Sequence, residues 1–67
     1  MGPETFAKQL VVALRADSYV VDGTTITMEF SAGSTADGEG QCRIAAATVG
    51  GNATVVLAYP DGEFPCA

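Results

Sequence analysis

The sequence predicts an α+β domain: one N-terminal amphipathic helix packed on one face of a four-stranded antiparallel sheet, in the order α-β-β-β-β, stapled by a disulfide. Three observations carry that expectation. An apolar stripe of helical period runs through residues 3–16, two β-rich runs meet at Asp22-Gly23, and two cysteines stand in the C-terminal part. A chain of 67 residues has room for one core only, so residues 1–67 read as a single small domain, with Met1-Gly2 as a start added ahead of a trimmed segment.

Residues 3–16 are mostly good helix formers. Phe6, Leu10, Ala13 and Leu14 recur at i, i+4, i+7 and i+8, and Ala7 and Val11 widen that stripe. Pro3 suits a first turn, where its missing N–H is not needed; Glu4 favours the positive helix end and forms a well-oriented i,i+4 pair with Lys8. Lys8 and Arg15 fall on the solvent side, and Asp17-Ser18 ends the periodicity.

Residues 19–21 and 24–30 are β-branched and aromatic on either side of Asp22-Gly23, a pair that supplies the positive φ angles of a type I′ turn. Such a turn pairs Val21 with Thr24 and Tyr19 with Ile26. Tyr19, Val21, Ile26, Met28 and Phe30 then share the face toward the helix, leaving Thr25, Thr27 and Glu29 on the other. Residues 31–40 are small and polar, and read as a mobile loop.

Two more strands are expected at residues 41–49 and 53–59, joined by Gly50-Gly51-Asn52. Ile44 and Ala46 fall on one side of the first, Arg43, Ala45 and Ala47 on the other; in the second, Val55 and Leu57 alternate with Thr54, Val56 and Ala58. Pro60-Asp61-Gly62 makes the closing turn. A single helix covers one sheet face, so the other carries Val20, Thr25, Thr27, Glu29, Ala45, Ala47, Val56 and Ala58. That set suits either an ordinary solvated surface or a face for a partner or a second copy.

Cys42 and Cys66 have 23 residues between them. Closing such a loop stabilises a small domain by roughly 3.5 kcal/mol on the chain-entropy estimate, and the bond persists only in an oxidising compartment. An extracellular or cell-envelope location follows as the expectation. The start of a third antiparallel strand lies opposite the end of a fourth, which brings the two cysteines to one end of the sheet. The pattern D-G-E-x-x-C occurs twice, as Asp37-Gly38-Glu39 before Cys42 and as Asp61-Gly62-Glu63 before Cys66. With the cysteines bonded, Asp37, Glu39, Asp61 and Glu63 converge either as plain turns or as a set of hard oxygen ligands for calcium. No other cofactor is indicated.

Composition excludes several functions. Eight carboxylates against three Lys plus Arg give a net charge of −5, which repels nucleic-acid phosphate. The longest purely apolar runs, residues 10–14 and 55–59, are far too short to span a membrane. There is no His for a catalytic triad and no glycine-rich strand-to-helix phosphate loop, so an enzyme is not expected. Tyr59, Pro60, Phe64 and Pro65 flank the last turn, where they form a contact patch or cover the disulfide. Asn52-Ala53-Thr54 fits the N-glycosylation pattern, a short pattern that arises often by chance. The leading expectation is a non-catalytic exported or cell-envelope domain that binds a protein or envelope partner through its open sheet face or its C-terminal turn. Its alternatives are a small stapled enzyme inhibitor presenting the 31–40 loop and a calcium-binding module.

Overall fold

The computed structural model describes residues 2–48 and 53–66. The elements in chain order are helix α1 (Pro3–Leu14), strands β1 (Ser18–Asp22) and β2 (Thr25–Glu29), a 3-10 turn (Thr35–Asp37), helix α2 (Gly38–Ala47), and strands β3 (Thr54–Tyr59) and β4 (Gly62–Pro65). The strands lie side by side in sequence order; β1 and β4 are antiparallel to their neighbours, and β2 runs parallel to β3. The sheet is therefore mixed, and the purely antiparallel α-β-β-β-β order is corrected to α-β-β-α-β-β. A parallel neighbour needs a crossover of a dozen or more residues, and α2 supplies it.

Helix α1 forms where the stripe places it. Phe6, Ala7, Leu10 and Leu14 are buried, Val11 is half-buried, and Ala13 stays exposed. Its end is a Schellman motif: the Arg15 N–H donates to the Val12 carbonyl and the Ala16 N–H to the Val11 carbonyl. Arg15 holds the left-handed conformation at φ 57°, a position usually given to glycine.

The first hairpin carries its expected faces in a different register. Asp22 pairs with Thr25, Val21 with Ile26 and Tyr19 with Met28, two residues along β2 from the type I′ expectation. Gly23 and Thr24 are the central turn residues, and Gly23 alone has positive φ, at 61°, which is the II′ pattern. A slip of two leaves every side chain on its face, so Ile26 and Met28 are fully buried as expected. At the hairpin's open end, the Ser31 backbone N–H donates to Asp17 Oδ2 at 2.6 Å. That bond and the Ser31 hydroxyl hold the Asp17 carboxyl below its ordinary value.

Residues 35–40, expected within a loop, are helical, and residues 41–47, expected in a strand, belong to α2. Local chemistry accounts for it. Ser34 and Asp37 form a capping box: Ser34 Oγ accepts from the Ala36 N–H at 3.2 Å, and Asp37 Oδ2 accepts from the Ser34 N–H at 3.3 Å. Glu39 pairs with Arg43 one turn on, at 2.7 Å. Alanine is the best helix former and a poor strand former, so Ala45, Ala46 and Ala47 extend the helix. Gly38 and Ala45 are buried, with Gln41, Cys42 and Thr48 half-buried, spaced as one helix face. The expected Gly50-Gly51-Asn52 connection and the Asn52 sequon position lie outside the described residues.

Both helices cover one face of the sheet. Phe6, Ala7, Leu10 and Leu14 of α1 and Ala45 of α2 enclose Ile26, Met28, Val55, Leu57 and Tyr59 in a single core. At Gly38, α2 packs closely on β4: a Cβ at this residue would lie 2.6 and 2.7 Å from Cδ1 and Cδ2 of the Phe64 ring. Gly38→Ala is expected to displace that ring and lower stability by about 1–3 kcal/mol, despite alanine's better helix propensity. Urea unfolding checks this, and a midpoint at or above the parent's contradicts the close packing.

Candidate functional site

The expected cystine is present. Cys42 on α2 joins Cys66, the residue after β4, with Cα atoms 5.5 Å apart. Its setting differs from the expectation, since a helix and a strand end meet here instead of two strands. The Cys66 N–H donates to the Val55 carbonyl at 2.8 Å, so the bond ties α2 to the free edge of the sheet.

The four repeated carboxylates separate into three settings. Asp61 accepts from the Thr35 N–H at 3.0 Å and from the Thr35 hydroxyl at 3.3 Å, and thereby approaches the short turn that Asp37 closes. Glu39 turns to Arg43 in an exposed pair. Glu63, on β4, lies opposite Ala58 of β3 in the sheet. Among the described residues, no three carboxylate or thiol groups gather at a spacing that holds a metal ion.

The C-terminal patch also divides. Tyr59 is buried and stacks on Phe30, with ring centroids 4.6 Å apart and planes 13° from parallel. Phe64 is half-buried against Gly38, while Pro60 and Pro65 are exposed. The Tyr59 hydroxyl is buried with no partner in hydrogen-bonding geometry. Burial, and then the nearby Asp37 carboxylate, raise its pKa, against a smaller lowering from Gln41.

The sheet face away from the helices is built by register. One row across it reads Val20, Thr27, Val56, Pro65; beside it runs Ser18, Glu29, Ala58, Glu63, and on the other side Asp22, Thr25, Thr54. Ala45 and Ala47, expected on this face, belong to α2 instead. The middle row is the apolar one, and Val20 is 49% exposed. Its flanks hold Asp22, Glu29 and Glu63 and no cation, because Lys8, Arg15 and Arg43 all belong to the helical layer.

A second concavity lies on the helical side. A cleft of about 560 Å³ is lined by Leu14 and Arg15 from the end of α1, by Asp37 at the close of the 3-10 turn, by Gln41 and Ile44 of α2, and by Phe30 and Tyr59 below. Gln41 Nε2 donates to the Leu14 carbonyl at 2.8 Å, which joins the two helix ends across it. Sequence reasoning missed this cleft. Its one local signal was a bulky Arg at the position where a helix end favours glycine.

The fold and its staple define a disulfide-bonded, two-layer α+β domain. No family model, curated protein or solved structure matches the chain.

Proposed function

We propose that this is a non-catalytic exported or cell-envelope domain that binds a protein or envelope partner with its open sheet face. The observation that carries the reading is the uncovered apolar row Val20, Thr27, Val56, Pro65, flanked by Asp22, Glu29 and Glu63 with no cation among them. An apolar strip with a charged rim of one sign selects a partner of complementary shape and opposite charge. The matching surface is an apolar ridge flanked by Lys or Arg. Two copies set face to face would oppose carboxylate to carboxylate, so charge favours a different chain over a homodimer. The disulfide is compatible with an oxidising compartment. Among the described residues no helix is long and apolar enough to cross a membrane.

The test is affinity capture from an envelope extract with three baits: the parent, Val20→Lys with Val56→Lys, and Lys8→Glu on the opposite layer. The expected result is a partner held by the parent and by Lys8→Glu, lost by the double variant, and released as rising salt screens the rim. A parent that captures nothing, or a partner held equally by the double variant, overturns the reading.

A further inference from the structure

We infer that the cleft between the end of α1 and the start of α2 is a binding site for a small zwitterion with an apolar side chain, the chemistry of a free aromatic α-amino acid. Four observations converge on it. The cleft, about 560 Å³, lies within the size range of small-molecule pockets and is lined mainly by apolar groups, Leu14, Phe30, Ile44 and Tyr59 among them. Ile44 is 45% exposed at its wall.

Arg15 supplies the second observation. Its left-handed backbone is costly for a residue with a long side chain, and such strain clusters where function requires it. Among the described residues its guanidinium has no carboxylate partner, although the chain carries eight acidic residues. A free guanidinium at a cleft is a receptor for a carboxylate.

The third is Asp37, whose carboxylate faces the Gly33 and Tyr59 side of the same cleft. One cation and one anion give the lining no net charge. A molecule with no net charge but one group of each sign matches it, and is not repelled by a protein of net charge −5. The fourth is the stacked Phe30 and Tyr59 pair among the lining residues, an apolar aromatic contact for a ligand ring. In this arrangement the ligand carboxylate meets Arg15, its ammonium meets Asp37, and its ring rests against Phe30 and Ile44.

This site is on the opposite layer from the open sheet face, so the two readings succeed or fail separately. The experiment is an amide NMR titration of the oxidised protein with L-phenylalanine, with L-phenylalanine amide, which lacks the carboxylate, and with N-acetyl-L-phenylalanine, which lacks the ammonium. The expected result is saturable shifts at residues 14, 15, 33, 40, 41 and 44 with the free amino acid, and binding weaker by about tenfold or more with either analogue. Arg15→Gly separates binding from folding: glycine relieves the left-handed strain, so the melting temperature holds or rises while affinity falls by a similar factor. Absence of saturable shifts overturns the proposal. So does an analogue that binds as well as the parent ligand, or an Arg15→Gly variant that retains full affinity.

Discussion

Cys42→Ser combined with Cys66→Ser is expected to lower the free energy of unfolding by about 2–5 kcal/mol, with the chain-entropy estimate for this loop at roughly 3.5 kcal/mol. The size of the effect follows from what the bond joins. Strand β4 has only four residues and pairs on one side alone, and the cystine anchors its end to α2. Helix α2 in turn buries little besides Gly38 and Ala45. Neither element has a large apolar face to hold it once the tether is gone. A domain of 67 residues has a total stability of about 3–10 kcal/mol, so the loss removes a large share of it. Urea unfolding of the oxidised parent, the reduced parent and the double variant is the check. The reduced parent and the variant should unfold together at lower urea, and curves superimposed on the oxidised parent's would show that the staple contributes nothing.

The elements that were legible in the sequence are those whose signals are local. Helix α1 was legible because its apolar stripe, its Pro3 start and its Asp17-Ser18 stop all agree. The first hairpin tolerated a wrong turn type, since the observed register differs by two residues and parity keeps Tyr19, Val21, Ile26 and Met28 together. Strand β3 was legible from the alternation of Val55 and Leu57 with Thr54, Val56 and Ala58.

Helix α2 was misread because the alternation of Ile44 and Ala46 with Arg43, Ala45 and Ala47 resembles a strand, while alanine fits both periods poorly as a marker. Helical signals were present at its start: Ser34 three residues before Asp37, Glu39 four before Arg43, and a run of strong helix formers. Those local propensities, together with the need for a crossover between parallel strands, outweigh a short alternation. The disulfide was legible despite that error because loop-closure stabilisation depends on chain length, not on which element carries each cysteine.

The candidate surfaces were legible in proportion to how local they are. Val20, Thr27 and Val56 were placed on the open face by period alone, and the structure adds Pro65 to their row. Tyr59 and Phe64 read as a contact patch or as cover for the disulfide by proximity to a turn; strand parity puts both toward the helices. The cleft could not be read from any segment, because it exists only where the ends of α1 and α2 meet, and that contact is set by packing between residues far apart in sequence.

Adjacent residues of β3 separate stability from binding. Leu57 is fully buried beneath the helices, opposite Met28 on one neighbouring strand and Phe64 on the other. Leu57→Ala leaves a cavity in a strand with neighbours on both sides, and a loss of about 2–5 kcal/mol is expected. Val56 faces the other way, half-buried beside Thr27 and Pro65, with no helix over it among the described residues. Val56→Ala is expected to cost about 1 kcal/mol or less. If the open face is the binding surface, the order reverses in a capture experiment on the folded fraction: Val56→Ala weakens partner retention, while Leu57→Ala leaves it intact at temperatures where the variant stays folded. Urea midpoints and capture yields on the same two proteins decide the matter together. A large stability loss in Val56→Ala would mean that this face is structurally enclosed, and unchanged retention would mean that the partner engages a different surface.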